Sequence, residues 1–386
     1  MKGENISRRS FLRNTSLTAA GAIAGTFSKT YAETGEKEKS SKPPKILNYH
    51  PKMGYRRLGK TRLMLSEISL GGHWKNRNGG RYWDTFANDQ TPADVAKNRT
   101  EVISACIDSG INYLDITTAA ECLAYGAALK GRREKMYVGA DDHRLGPRNP
   151  DNRNVKALTR DIDQCLRRLQ TDYLDIWRVQ AMMDGSNSDE DVEIMIQTFE
   201  KAHKAGKVRH FGISTHSRPW THHVIEKFDE VEMFVFPCSA KTKEKGQLPT
   251  EENVVEVNPG HGADQTQSVF QSLRSNNVGL VTIKPFFGGN LFKSYGQDKF
   301  PVMGVGSKKE NDLARLTLQC ILTKDAITAA VPGMSTVYEV DNAARASYTR
   351  KFGQTAADKQ WLEKITDQQW AKLPQEYAWL RDWEVI

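Results

Sequence analysis

"LRRLQTDYLDIWRVQ", residues 166–180, holds one helix-to-strand transition in fifteen residues. Its first part continues an apolar stripe at helical spacing, formed by Ile162, Cys165, Leu166 and Leu169. A polar break follows, and "YLDIWRVQ" then reads as a short strand. Seven further short apolar runs share that character: "EISLGGHW", "INYLDITT", "KMYVGADD", "VRHFGIST", "EMFVFPCS", "GLVTIKPF" and "ITAAVPGM". Most are separated by helical periodicity, as at Val192, Met195, Phe199 and Ala202, with Gly206 just past the end. The gaps after the first and sixth runs are long and contain Gly, Asn and Pro. Eight strand-like runs alternating with helices imply parallel βα units closed into an α/β (β/α)8 TIM barrel, whose working face lies at the C-terminal ends of the strands. The last stretch carries Trp361, Trp370, Trp379 and Trp383 and reads as a helical extension packed on the barrel. The expected organisation is a signal over 1–32, a linker over 33–52, a barrel over 53–345 and a C-terminal extension over 346–386.

The chain has 386 residues and a net charge of +8, but Lys2, Arg8, Arg9, Arg13 and Lys29 against Glu4 supply half of that charge. Without them the balance is modest, and no basic block with interleaved aromatics points to nucleic acid. "SRRSFLRN", then "SLTAAGAIAGTF" and "TYA" read as a twin-arginine signal, with Thr30 and Ala32 at the cleavage positions. The segment is too short and too weakly apolar to span a bilayer. It implies handling by the twin-arginine machinery, export in the folded state and a periplasmic or other extracytoplasmic location. No other segment could cross a membrane, so an integral membrane protein is not expected.

Cys106, Cys122, Cys165, Cys238 and Cys320 are odd in number and lack metal or redox spacing. Cys106 and Cys165 lie in apolar stripes and read as core. Gly54, Gly59, Lys60 and Thr61 fit the formula of a phosphate loop, but a linker precedes them and extended chain follows, so the required strand–loop–helix context fails. "GHG" at 260–262 has no strand before it. His222 and His223 fall in a helical stretch and read as surface.

"MGYRRLGKTRLMLSEISLGG", "GINYLDIT", "YGAALKGRREK", "LRRLQTDYLDIW", "AGKVRHFGISTH", "VGLVTIKPFFGG" and "VPGMSTVYEV" occur in that order, and the chain over roughly residues 53–345 resembles the aldo/keto reductase family. The resemblance implies an oxidoreductase that uses NADP(H) on a small carbonyl or sugar-like substrate. Forms such as "GISTH", "IKPFFGG" and "VPGMS" are similar to a branch that often carries an iron–sulfur domain. No cysteine follows Cys320, so no cluster is expected. The family pairs a proton-donating tyrosine with a lysine, an aspartate and a histidine. Carried over, the aspartate is Asp115, the tyrosine position is Ala120, the lysine position is Asp141 and the histidine position is Gln180. Tyr125 matches the helix after the tyrosine. For the cofactor, Ser214 matches the carboxamide-binding serine and Thr215 stands where asparagine is usual. Val235 takes the glutamine position and Ile283 that of a ring-stacking tyrosine, with Lys284 beside it. Ser335 could meet a phosphate, while Met334 and Thr336 offer no cation for a 2′-phosphate.

Asp141, Asp142 and His143 follow directly on the strand "KMYVGA", where carboxylates are costly to desolvate without compensation. Asp115 and Asp141 are expected to face each other, with Lys284 or Lys241 as the compensating cation. A divalent metal held by His73, His143 or His216 with Asp115, Asp141 and Glu121 is an alternative, and so is direct binding of a polyol or sugar. The catalytic candidates are Asp115, Asp141, Gln180 and Lys284. The cofactor candidates are Ser214, Thr215 and Ser335. A non-redox lyase, isomerase or epimerase and a non-catalytic binding protein remain the competing functions.

Overall fold

The structure is a computed structural model and describes residues 46–74, 86–244, 268–295 and 308–386. The signal, the first part of the linker and the "GHG" fragment lie outside the described residues.

The barrel is plugged at one end by a hairpin. β1 (Tyr55–Arg57) pairs antiparallel with β2 (Met64–Ser66), with Arg56 opposite Leu65. The turn between them, Gly59–Thr61, holds Gly59 at φ +48°, and a Cβ there would come within 2.3 Å of the Gly279 backbone nitrogen. Only glycine fits that approach. Gly59-Lys60-Thr61 is therefore a hairpin turn pressed on the barrel floor and not a phosphate cradle. Leu58 and Leu65 pack there with Tyr113, Ile176 and Met233 in the barrel's interior layer.

All eight expected strands are present among the described residues. β3 (Leu70–Gly71), β4 (Tyr113–Ile116), β5 (Tyr137–Ala140) and β6 (Leu174–Gln180) run parallel in that order. β7 (Val208–Ser214), β8 (Met233–Pro237), β9 (Gly279–Ile283) and β10 (Ala329–Ala330) continue the sheet. Bridges from Ile68 to Ala330 and from Gly71 to Gly333 join its two edges, with Ser69 N donating to Ala330 O at 2.9 Å. The sheet thus closes into a ring. Closure removes the exposed edges that would otherwise pair with other chains.

The helices of the surrounding layer are α1 (Ala93–Asp108), α2 (Ala119–Leu129), α3 (Val155–Leu169), α4 (Asp189–Lys204) and α5 (Arg218–Lys227). α6 (Val269–Ser275), α7 (Lys308–Leu322) and α8 (Val337–Arg350) complete it. Ser188, at the start of α4, and Thr336, at the start of α8, form reciprocal capping boxes with Asp191 and Glu339, satisfying amides that the first turn leaves open. Cys106 and Cys165 are fully buried between sheet and helices. His222 departs from its surface reading: it is buried on the inner side of α5, while His223 pairs with Asp189 at 2.7 Å.

α8 runs to Arg350, so the last barrel helix extends past the boundary expected at 345. The extension consists of α9 (Ala356–Ala371) and a 3-10 segment over Gln375–Trp383. α9 buries Leu362 and Trp370 against Phe287, Leu291, Leu313 and Leu316. Trp383 stacks on Phe236 with ring centres 4.6 Å apart and donates its Nε1 hydrogen to His216 O at 2.8 Å. Among the described residues no helix is long and apolar enough to cross a membrane.

Candidate active site

A cavity of about 490 Å³ opens among the C-terminal ends of the strands. Alternation along β6 turns Arg178 and Gln180 to the same side, and both line it. Asp115, from the end of β4, also lines it. Arg178 Nε lies 2.8 Å from Asp115 Oδ1, and both side chains are almost wholly buried. The N–H is not aimed at that oxygen, so the contact is an ion pair more than a linear hydrogen bond. One guanidinium nitrogen donates to Ile116 O at 2.6 Å, and the Tyr113 hydroxyl donates to Asp115 Oδ1 at 3.3 Å. Burial raises the Asp115 pKa, opposed by the attraction of Arg178.

This geometry corrects the expected confrontation of two carboxylates. The compensating cation is Arg178, which lies in the field of both Asp115 and Asp141. Lys241 is engaged elsewhere, with Asp367 at 2.7 Å and Glu384 at 3.5 Å. Asp141 is fully buried and does not border the cavity; Gln180 covers it, its backbone N–H donating to Asp141 Oδ2 at 2.8 Å and its Nε2 to Oδ1 at 2.6 Å. Burial raises the Asp141 pKa, against the pull of Arg178 and the hydrogen bonds from Gln180. Behind it Asp161 is pushed well above the carboxylate range, by burial and then by repulsion from Asp141.

A second constellation sits beside the first. His73, just past β3, has φ 58°, a left-handed conformation costly for a residue with a side chain. Its ring is held from behind by Glu121, in the first turn of α2. His73 Nδ1 lies 3.1 Å from Glu121 Oε1 and 3.1 Å from Thr117 Oγ1, and the His73 backbone N–H donates to Oε1 at 2.6 Å. Thr117 donates its N–H and hydroxyl to Glu121 Oε2 at 2.7 and 2.9 Å. Burial would raise the Glu121 pKa, but the attraction of His73 and these donated hydrogen bonds leave it lowered, so the glutamate is held ionised. Gly72 makes the room, because a Cβ there would overlap the Glu121 carboxylate.

His143 also borders the cavity, its Nδ1 3.1 Å from Thr117 O. His216 stacks flat on Trp379 at 4.0 Å; burial, Lys284 and Arg148 hold its pKa well below the usual imidazole range. The residues weighed for a divalent metal do not gather: among the described residues no group of three or more His, Cys, Asp or Glu could hold one. Tyr125 is buried away from the cavity, donating to Gly71 O at 2.9 Å and meeting Trp74 edge-on.

Ser214, Val235, Ile283, Lys284 and Ser335 line the same cavity. Thr215 does not; it is buried and its hydroxyl donates to Met182 O at 3.0 Å. At the start of α8, Glu339 Oε2 accepts the backbone hydrogens of Ser335 at 2.5 Å and Thr336 at 3.1 Å. The tail reaches this side too, and Tyr377 lies against Gly288, where any Cβ would strike its ring.

The aldo/keto reductase pattern matches residues 70–357. The chain belongs to the aldo/keto reductase family. It is 26% identical to 6-dehydroglucose reductase of Novosphingobium aromaticivorans over 214 residues, 50% of this chain and 63% of that protein. It is 27% identical to the aldo-keto reductase YhdN of Bacillus subtilis over 174 residues, 43% of this chain and 48% of that one. The chain therefore spans less than two thirds of these relatives. In fold, it is similar to aldo-keto reductase AKR11C1 of Bacillus halodurans (TM-score 0.52, 21% identity, 81% of this chain and 96% of that chain). An aldo/keto reductase of Klebsiella pneumoniae, solved with NADP and acetate, also matches (TM-score 0.52, 16% identity, 81% and 94%).

Arg178 is the site residue that the sequence reading misses, while Glu121 enters it only as a candidate metal ligand and not as the partner of His73. The signal for Arg178 was an arginine inside an otherwise apolar strand, which burial makes untenable without a carboxylate nearby. Its parity with Gln180 pointed the same way.

Proposed function

We propose that this family member is an exported oxidoreductase that reduces a carbonyl on a small, sugar-like molecule with a nicotinamide cofactor, using a proton relay other than the family's tyrosine and lysine. The observation that carries this reading is the Glu121-held His73 beside the Asp115–Arg178 pair in one cavity. The cavity fits the nicotinamide end of the cofactor. Val235 and Ile283 offer apolar walls to a ring, and the almost buried Ser214 offers a hydroxyl to a carboxamide. When bound, the nicotinamide supplies the hydride. His73 then gives a ring proton to the carbonyl oxygen, and Glu121 stabilises the charged imidazole and fixes its orientation. Arg178 places a guanidinium donor on the wall where the developing oxyanion needs it, while Gln180 commits its amide hydrogens to Asp141 Oδ1 and Thr117 O. His73 recovers its proton from solvent, since its side chain is about one third exposed.

The name 6-dehydroglucose reductase supports a sugar-like substrate, and the Klebsiella structure with NADP supports that cofactor. The proposed test titrates the purified chain with NADH and NADPH and follows nicotinamide fluorescence. Saturable binding of either is the expected result. If neither binds, the His73–Glu121 dyad serves proton abstraction without redox chemistry, as in an isomerase or epimerase. Export rests on Arg8 and Arg9 with the apolar run behind them. Changing both arginines to lysine should leave the protein in the cytoplasm; unaltered export would contradict the twin-arginine route.

A further inference from the structure

Arg148 stands in the segment between β5 and α3 and lines the cavity. Its Nε donates to Ala181 O at 3.0 Å. Among the described residues no other protein acceptor receives a hydrogen bond from it and no carboxylate pairs with it, which leaves both terminal nitrogens for the cavity. The nearest candidate partner, Asp141, is sealed behind Gln180 and occupied by its two donors. Arg178 and Lys284 share the cavity wall, and of the acids on it Asp115 is paired with Arg178 while Glu339 accepts two amides at the start of α8. Burial lowers the Arg148 pKa, against the pull of Asp141 and with a smaller contribution from Arg178, and burial, Lys284 and Arg148 lower that of His216.

Place in the ring separates this end from the other polar end. Arg148 is anchored just beyond β5 and β6, which lie four strands from β9 and β10 on either count around the closed sheet. The glycine-bearing turn at Gly288 and the start of α8 therefore face Arg148 across the barrel mouth.

We propose that the substrate carries a carboxylate and that Arg148 anchors it, so that the enzyme acts on carbonyl compounds of the sugar-acid or keto-acid class. The inference rests on the reductase reading above and names its substrate class. A planar guanidinium with two free nitrogens takes a carboxylate through paired hydrogen bonds. Binding it there also relieves the repulsion between Arg148 and Arg178.

The test is calorimetric titration of the full chain with D-glucuronate, D-glucose and inorganic phosphate, in wild type, Arg148→Met and Arg148→Lys. Glucuronate and glucose differ only in a carboxylate for a hydroxymethyl group. The expected result is a preference for glucuronate of at least about tenfold, lost in Arg148→Met and partly kept in Arg148→Lys, which is the scale of one charge-assisted pair. Lys241→Met, remote from the cavity, should keep it. Equal binding of the two sugars, or a preference that survives in Arg148→Met, overturns the proposal. Phosphate binding as tightly as glucuronate overturns the carboxylate assignment. Parallel NADH and NADPH titrations keep the two readings apart. Nucleotide binding without carboxylate preference defeats this inference alone, and the converse defeats the reductase reading alone.

Discussion

Asp115 and Arg178 show how a barrel mouth can hold an acid that burial alone would neutralise. The carboxylate ends one strand, the guanidinium comes from a strand two places along, and neither has meaning without the register that joins them. Arg178→Met strands Asp115, and breaking a buried pair costs about 3–5 kcal/mol. The urea midpoint should fall accordingly, with a smaller drop for Arg178→Lys; a change under about 0.5 kcal/mol, the scale of an ordinary surface substitution, would show that the pair carries no structural weight. At His73 the expected effect is on chemistry. His73→Gln should lower kcat by about 10²–10⁴ with little change in nucleotide affinity, the range for losing a positioned acid. The sequence pointed to Asp115 and Gln180 by their place at strand ends. It hid Arg178, because a linear comparison looks for a cation at the position of Asp141 and not on the next strand, and it offered Glu121 only as a metal ligand.

At the scale of elements, the strands and helices were legible because their periodicities are physical requirements of burial. Ends were less so. α3 stops at Gln170, held at φ 53° and ψ 47°, a left-handed residue at an exposed site with a side chain. Gln170→Gly removes that strain and should raise stability by about 0.5–1 kcal/mol, read from thermal or urea unfolding; a loss would mean that the side chain supports the turn. The C-terminal segment over Gln375–Trp383 was read as packing, and it does pack, but it also borders the cavity through Tyr377 and braces His216 through Trp379 and Trp383. Tryptophans in a helical tail reveal burial, while the surface they cover depends on the closed ring beneath. Trp383→Ala should cost about 3–5 kcal/mol, the usual loss for a buried aromatic, and should shift His216 spectroscopically.

At the scale of the molecule, buried acids of opposite tendency set the response to pH. The folded pKa of Asp161 lies above its unfolded value, so its contribution to stability is complete below the unfolded value and is lost as pH rises through the folded one. Glu121 is the reverse: its contribution is present above the unfolded value and lost as pH falls through the lowered folded one. His216, lowered by burial, also loses stability on acidification. The net slope mixes these, but one comparison isolates Asp161. The stability of wild type relative to Asp161→Asn should increase as pH falls from the raised folded value of Asp161 toward its unfolded one, because the wild type takes up a proton there that the variant lacks. A difference independent of pH would mean that Asp161 does not titrate in that window. The barrel itself was readable from eight apolar runs, whereas its closure through Ile68 and Ala330 depends on a contact more than 250 residues apart in sequence, and the gathering of charges at its mouth depends on contacts between different elements. The most direct measurement is isotope transfer from nicotinamide deuterated at C4 to an aldehyde probe such as D-glucuronate, in wild type and His73→Gln. Product one mass unit heavier in the wild type, formed at least about 100-fold more slowly in the variant, is the predicted result. Product without deuterium, or a variant as fast as the wild type, would contradict it.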